Sequence, residues 1–315
     1  MPKAKVVSFI NYKGGVGKTT STYHIGCSLA GHHKKKVLLV DIDPQTNLTF
    51  LCAPIEEWEK FKARTGTIAN IYKRYQDKIA LDVKRHIWRN PIKVIGLGRY
   101  RIEGLDLIPC DIDLIGEDLG GGYITGTFPT MEIMRKNSAV FLRERSFLRS
   151  AVREIEDDYD YVLVDCPPNL YLMTQNALVA SHAYIITAIP DHLSTIGLSI
   201  LRKKVEKIGK MMEAANTFAG QVKGKHAIAE LGGVIFVKVR IGGSLVTVTH
   251  EAKMAQVSDM LGKDVCFENH TTELIGYSEA AEASVPVWAH NSQNARRASA
   301  KGEYQAITEE FMERF

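Results

Sequence analysis

The chain contains 315 residues with a mass of 35.1 kDa, which fits either two domains of about 150 residues or one larger α/β domain with an insertion. Hydrophobic residues make up 45% of the sequence and charged residues 24%, with only 10 prolines, so disordered and collagen-like classes are excluded. The 40 basic and 36 acidic side chains leave a formal net charge of +4. That charge permits a nucleic-acid partner but does not require one.

Neither a disulfide framework nor a membrane anchor is indicated by the sequence. The five cysteines are scattered, odd in number and without a C-x-x-C pair, which favours a reducing compartment. The apolar run at 6–10 is too short for a signal peptide, and no stretch approaches the roughly 18–20 apolar residues needed to span a bilayer. We therefore expect a cytoplasmic protein with no membrane partner.

Short apolar runs alternate with helical periodicity along the chain. The runs predict buried strands at 6–10, 36–40, 105–108, 161–164, 184–189 and 233–237. Apolar residues that recur at spacings of three and four residues predict helices at 20–30, 138–155, 171–180, 194–212, 250–261 and 299–315. This alternation predicts an α/β fold, a doubly wound, mainly parallel sheet with helices on both faces. Residues 53–103 fit the alternation worst, so we interpret them as a helical insertion in a single domain spanning 1–315.

A glycine-rich loop joins the first strand to the first helix. Its sequence is Asn11-Tyr12-Lys13-Gly14-Gly15-Val16-Gly17-Lys18-Thr19-Thr20. The glycines let successive backbone N–H groups turn inward, and the helix N-terminus adds partial positive charge, so the loop can cradle phosphate oxygens. In such a loop Lys18 reaches the β- and γ-phosphates of a nucleotide, and the Thr19 hydroxyl binds Mg²⁺. A plain glycine turn between strand and helix is the alternative.

The loop departs from the common pattern G-x-x-x-x-G-K-[ST], because Tyr12 stands at the first glycine position and Lys13 follows it. In this it resembles the deviant Walker A ATPases of the ParA/MinD superfamily, whose loop reads K-G-G-x-G-K-T-[ST]. The resemblance implies a P-loop NTPase fold and a sandwich homodimer formed on ATP binding, in which Lys13 reaches the partner's phosphates. It implies catalytic roles for Lys13 and Lys18. The implied nucleotide contacts are Lys13, Gly14, Gly15, Val16, Gly17, Lys18, Thr19 and Thr20.

Carboxylates follow two of the predicted strands, at the sheet edge where α/β folds bind ligands. One segment, Asp41-Ile42-Asp43-Pro44-Gln45-Thr46-Asn47-Leu48-Thr49, resembles the family's D-x-D-P-Q-x-N-x-[ST]. By that resemblance Asp43 orients the water that attacks the γ-phosphate. Asp43 and Asp41 are also assigned to the Mg²⁺ site, Asp41 in its outer shell. Capping of the next helix is the alternative role, above all for Asp41.

A second carboxylate motif ends the strand at 161–164. The sequence Asp165-Cys166-Pro167-Pro168 has the form of a Walker B strand end and resembles the family's D-x-P-P, so Asp165 is expected to hold Mg²⁺ through water. The resemblance continues through N-A-L-x-A at 176–180 and S-x-x-G-L at 194–198, and it assigns Pro190 to nucleotide binding. Two departures, Lys238-Val239-Arg240 and Thr271-Thr272, leave the base contacts unassigned.

Within the superfamily the sequence favours a DNA-partitioning ATPase. The cysteines are not placed to bridge two subunits around an electron-transfer cluster, and the polar face of the C-terminal helix is acidic, so anionic lipid would repel it. Arg145, Arg149 and Arg153, spaced by four, form a basic stripe. The side chains predicted to contact DNA are Lys203, Lys207, Lys210, Lys238 and Arg240. A solvated helix face is the commoner reason for such lysines.

We therefore predict a ParA-like ATPase for plasmid or chromosome partitioning, located in the cytoplasm on the nucleoid. Its ATP-bound dimer would bind non-specific double-stranded DNA, and weak hydrolysis at Asp43, stimulated by a centromere-binding ParB-like partner, would release it. Because the loop begins at Lys13, we expect no winged-helix domain before it and therefore no operator-specific binding. The alternatives are a ParA-like ATPase that positions a protein cargo on the nucleoid, or a metabolic P-loop ligase or kinase.

Overall fold

The computed structural model describes residues 3–95, 99–114, 130–220, 227–242, 245–290 and 295–315. The strands are β1 (Lys5–Ile10), β2 (Val37–Asp41), β3 (Lys93–Ile95), β4 (Arg99–Arg101), β5 (Leu105–Ile108), β6 (Tyr161–Asp165), β7 (Ala183–Ala188), β8 (Glu230–Phe236), β9 (Ile241–Gly242) and β10 (Leu245–Val246). The helices are α1 (Lys18–Gly31), α2 (Asn47–Cys52), α3 (Ile55–Thr65), α4 (Ile68–Gln76), α5 (Met131–Glu144), α6 (Phe147–Arg153), α7 (Leu172–Ala180), α8 (His192–Phe218), α9 (Val248–Leu261), α10 (Gly276–Glu282) and α11 (Ala295–Arg314).

Six strands form a parallel sheet in the order β5-β2-β6-β1-β7-β8. Every residue of β2, β6 and β7 is buried, which is why these strands read as continuous apolar runs without alternation. The predicted α/β fold with a doubly wound parallel sheet is confirmed. Because the strands are parallel, the carboxyl ends of β1, β2 and β6 lie together at one edge.

Hydrophobic cores cover both faces of the sheet, since successive side chains of a strand point to opposite sides. Val6 belongs to the core that includes helix residues such as Leu178 and Leu201, whereas Val7 belongs to the other core. That second core contains residues of α1 and α11, among them Tyr23, Tyr304, Ile307 and Phe311. The C-terminal helix therefore packs onto the sheet. Among the described residues, no helix combines the length and the apolar character needed to cross a membrane.

The single helix predicted at 138–155 is wrong, because the chain breaks between α5 and α6. The Ser146 hydroxyl donates to the Leu142 carbonyl at 2.7 Å, satisfying a last-turn acceptor that a continuing helix would bond through its backbone. Arg145 is buried, with its Nε donating to Gln175 Oε1 at 2.7 Å and its guanidinium over the Phe141 ring. Arg145 thus belongs to the interior, so the predicted basic stripe of Arg145, Arg149 and Arg153 does not include Arg145.

The segment 53–103 is α-helical in its first half, and its second half contains one short 3-10 helix (Val83–His86) among the described residues. Helices α3 and α4 occupy it up to Gln76, and Ile68, Ile71 and Tyr72 are buried in the same core as the sheet. Further on, β3 and β4 form an antiparallel pair, and Trp88 bridges to Leu107 of β5. Residues 96–98 lie outside the described part of the chain.

Candidate functional site

The glycine-rich loop runs from β1 into α1 at the carboxyl edge of the sheet. Gly15 and Gly17 adopt left-handed φ values of +73° and +75°, which only glycine adopts without strain. Asn11 holds the start of the loop, because its Nδ2 donates to the Thr187 carbonyl at 2.8 Å and its Oδ1 accepts from Lys13 N at 3.0 Å. Helix α1 has no side-chain cap, so its first N–H groups face the loop cavity without an internal acceptor.

A cavity of about 480 Å³ lies over this loop. Its lining includes Gly14, Gly15, Val16, Gly17, Lys18, Thr19, Thr20 and Asp43. The fold therefore places most of the sequence-predicted site residues around one cavity, although they come from segments that follow different strands. Pro190 is buried just after the carboxyl end of β7. It lines neither this cavity nor a second, adjoining cavity that is described below.

Lys18 is the first residue of α1 and its side chain is buried, at 7% exposure. Its ammonium lies 3.4 Å from the Lys13 carbonyl oxygen. Burial lowers the pKa of Lys18, and the carboxylates of Asp165 and Asp43 oppose that shift. Two acidic groups at the same sheet edge therefore favour the charged form of the buried Lys18 ammonium.

Asp165 ends β6 and is fully buried. Among the described residues, no group lies in good hydrogen-bonding geometry to either of its carboxylate oxygens, although the Thr19 hydroxyl is close enough to affect the pKa of the carboxyl. Burial raises the pKa of Asp165 well above its ordinary range and nearby Asp41 adds to the rise, while the Thr19 hydroxyl and the Lys18 ammonium offset part of it. Buried carboxylate oxygens left unbonded beside a hydroxyl form a donor set that suits a hard divalent cation such as Mg²⁺.

Asp41 is also fully buried, but chain donors occupy both of its oxygens. Oδ2 accepts from the backbone N–H and the hydroxyl of Thr49 at 2.9 and 2.7 Å, and Oδ1 accepts from Asp43 N at 3.1 Å. Burial raises the pKa of Asp41 to about 7. Asp41 thus fastens the first turn of α2 and the loop that carries Asp43, which is the capping alternative raised by the sequence.

Asp43 stands in the turn between β2 and α2 and is 5% exposed. Its Oδ1 accepts from Gln45 N at 3.0 Å, and its carbonyl accepts from Thr46 N at 2.8 Å. Thr46 itself has a left-handed φ of +57°, so the turn is tight and specifically held. Asp43 is thus held in a fixed turn, and it lines the cavity over the loop.

Lys13 forms an ion pair that sequence reasoning missed. Its ammonium lies 3.0 Å from Asp191 Oδ2 and 3.4 Å from Ser194 Oγ, and Asp191 also caps α8 by accepting from Ser194 N at 2.6 Å. Next to it, the Tyr12 ring lies against α8 so closely that a Cβ at Gly197 would collide with the phenol oxygen. The phosphate loop and the start of α8 are therefore in direct contact.

A second cavity of about 440 Å³ adjoins the first. Residues Gly17, Thr20, Leu51, Lys238 and Ala281 line both cavities. The second cavity is lined further by Thr271, Thr272, Tyr277 and Tyr304, of which only the two threonines stand out in the sequence. Lys238 Nζ donates to the Gly15 carbonyl at 3.0 Å, so this predicted DNA contact lies at the phosphate loop.

Helix α8 carries three of the other predicted DNA contacts. Lys203, Lys207 and Lys210 are exposed, while Leu201 and Val205 on the opposite side are buried. The outer surface of α8 is therefore basic. Arg240 is also exposed and pairs with Glu273 at 3.1 Å.

Matches to known proteins accord with this geometry. A family model described as an AAA domain matches residues 4–217. An uncharacterized protein of Mycobacterium tuberculosis is 30% identical over 315 residues, covering 99% of this chain and 80% of the relative. The chromosome-partitioning ATPase Soj of Treponema pallidum is 27% identical over 312 residues, which cover 98% of each chain. Among solved structures, the McdA–ATP complex from Cyanothece superposes with a TM-score of 0.68 at 17% identity, covering 99% of this chain and 98% of that one.

Proposed function

Because this chain belongs to the ParA/MinD family of P-loop ATPases, we propose that it is a ParA-like partition ATPase whose ATP-bound homodimer binds non-specific double-stranded DNA and releases it after hydrolysis. One observation carries the proposal. The phosphate loop and Asp43 line one cavity, and Lys18 is buried within reach of the charge of Asp165. That arrangement supplies what phosphoryl transfer to water needs, namely positioned cations and an acid that orients the nucleophile.

In the proposed function, ATP occupies the two adjoining cavities in one direction. The loop N–H groups and the start of α1 favour anions, so the β- and γ-phosphates belong in the cavity over the loop. The nucleoside then extends into the neighbouring cavity, where Tyr277 and Leu274 offer apolar surface and Thr271 and Thr272 offer hydroxyls. These side chains are the candidates for the base and ribose contacts that the family resemblance leaves unassigned.

The hydrolysis step uses this chain's own residues as follows. Thr19 and Asp165 would hold Mg²⁺, which would supply positive charge to offset that of the phosphate oxygens. Lys18 contacts the β- and γ-phosphates from within the loop, and Asp43 orients the attacking water. Lys13 adds its charge across the dimer interface once it leaves Asp191. The proposed mechanism uses no covalent intermediate, so the rate depends on positioning. A centromere-binding ParB-like partner is the proposed stimulus for this weak ATPase.

DNA binding is assigned to the outer face of α8. Its exposed lysines, Lys203, Lys204, Lys207 and Lys210, lie within two turns of helix. Lysines without a bidentate fork contact phosphates as point charges, so binding is independent of sequence. In a dimer each lysine occurs twice, and the phosphate contacts double. The protein would thereby be held on the nucleoid, in the cytoplasm, only while ATP keeps the dimer closed.

The test compares wild type and Asp43→Ala for binding to random-sequence duplex DNA, with ATP or ADP, across a salt series. We expect Asp43→Ala to bind ATP normally, to hydrolyse it at least about 100-fold more slowly, and to remain on DNA. Binding should require ATP and weaken steeply with salt. Normal turnover by Asp43→Ala would remove the catalytic assignment. Failure of the ATP-loaded variant to bind DNA would remove the DNA role.

A further inference from the structure

Lys238 reaches the phosphate loop from outside it. The residue lies two positions beyond the end of β8, at the same sheet edge as the loop, and its ammonium donates to the Gly15 carbonyl at 3.0 Å. Its side chain lines both the cavity over the loop and the adjoining cavity. Lys238 therefore stands at the junction of the two spaces.

The backbone holds Lys238 in this position at a conformational cost. Its φ is +54°, in the left-handed region that non-glycine residues rarely adopt. The Lys238 N–H donates to Thr271 Oγ1 at 3.3 Å, and Val239 N donates to the Thr271 carbonyl at 2.8 Å. The Thr271 N–H in turn donates to the Phe236 carbonyl at 3.1 Å. Strained residues that their surroundings hold in place cluster at ligand sites.

The ammonium of Lys238 is available to an anion. In the described part of the chain it contacts no carboxylate, because neighbouring Glu273 pairs with Arg240 at 3.1 Å. Its partner, the Gly15 carbonyl, is a neutral acceptor. A hydrogen bond between an ammonium and an ionised oxygen is roughly twice as strong as one between neutral groups, so a phosphate oxygen would displace the carbonyl.

We infer that Lys238 is a nucleotide-binding residue that contacts the α-phosphate of ATP and ADP, an inference that rests on the proposed function. If the β- and γ-phosphates occupy the loop cavity and the nucleoside occupies the adjoining one, the α-phosphate lies where the cavities meet. That place is the junction at which Gly17, Thr20 and Lys238 line both spaces. The contact reassigns Lys238 from DNA to the nucleotide and adds a third lysine to the site.

The inference is tested by nucleotide titration of the isolated protein, without DNA, in an Asp43→Ala background that preserves ATP. Lys238→Met should raise the Kd for ATP and for ADP by the same factor, about tenfold, which corresponds to about 1.4 kcal/mol. Lys238→Arg should recover most of the affinity. Lys60→Met, which removes an exposed charge on α3, is the matched control. Thermal unfolding without nucleotide should be unchanged, because the Lys238 side chain is exposed.

Each other result overturns the inference. Unchanged Kd values would mean that Lys238 does not touch the nucleotide, and a loss confined to ATP would place its ammonium at the γ-phosphate. A lower affinity for DNA at saturating ATP, with unchanged nucleotide binding, would return Lys238 to the DNA surface. A parent protein that bound no ATP would defeat the proposed function itself, whereas a silent Lys238→Met in an ATP-binding parent defeats only this inference.

Discussion

The ammonium of Lys13 lies 3.0 Å from the carboxylate of Asp191 in the same chain. Partial burial of Asp191 raises the pKa of its carboxyl. The Ser194 N–H and the Lys13 ammonium lower that pKa by more, so it lies below the ordinary value. Both side chains are 37% exposed. The lysine that is proposed to cross the dimer interface is thus engaged within its own protomer, and the pair would have to break for the proposed sandwich dimer to form.

Releasing Lys13 is expected to favour the dimer. Asp191→Asn removes the charge but keeps an N-cap acceptor for α8, so the helix start should remain intact. An exposed ion pair contributes up to about 1 kcal/mol, and two pairs break per dimer, so ATP-dependent dimerisation should strengthen by up to roughly 30-fold. Sedimentation of both proteins over a concentration series with ATP measures the shift. Weaker dimerisation of Asp191→Asn would show that Asp191 supports the interface instead.

Substitutions of Lys13 and Lys18 are expected to have different effects, although both residues belong to the phosphate loop. Lys18 is buried and points into its own site, so Lys18→Gln should lose nucleotide binding. Lys13 is held outside the cavity by Asp191, so Lys13→Gln should bind ATP within a few-fold of wild type and stay monomeric. Nucleotide titration and light scattering with ATP separate the two variants. A stable ATP dimer of Lys13→Gln would refute the role of Lys13 across the interface.

The sequence predicts the sheet well because its strands are buried on both faces. Continuous apolar runs predict β2 and β5 to within one residue. The carboxylates at the ends of β2 and β6 lie side by side because parallel strands end at one edge of the sheet. The ion pair between Lys13 and Asp191 joins residues 178 positions apart, and no local pattern encodes it. Strands β9 and β10 have two residues each, which is too short to produce a periodicity.

Charge removal on α8 should weaken DNA binding without changing its sequence preference. Each of Lys203→Gln, Lys207→Gln and Lys210→Gln removes one phosphate contact per protomer, or two per dimer. The slope of log K against log salt should become shallower by about 2 for each substitution. The measurement is a salt titration with two duplexes of unrelated sequence at saturating ATP. Lys60→Gln on α3 is the control, and slopes equal to that of wild type for all three α8 variants would exclude α8 as the DNA surface.

His24 should make the fold sensitive to acid. Its ring is buried in α1, stacked on Tyr304 at 4.8 Å, and burial lowers the pKa of His24 to about 3. Between pH 6.5 and 3 the unfolded chain binds a proton at His24 that the folded chain excludes. The free energy of unfolding is therefore unaffected by the titration of His24 above pH 6.5, and it decreases as the pH falls below that value. From pH 7 to pH 5 the loss is about 2 kcal/mol in the free energy of unfolding.

Urea unfolding at pH 7 and pH 5 tests this dependence, with wild type compared to His24→Gln. The substitution also removes packing against Tyr304, so the difference between the two pH values is the informative quantity. Burial of Asp41 acts in the opposite sense, because its raised pKa of about 7 favours the folded state as the pH falls, but it acts equally in both proteins and cancels. His192→Gln, at an exposed site, is the control. If wild type and His24→Gln lose the same free energy between the two pH values, His24 is not excluded from protonation in the folded state.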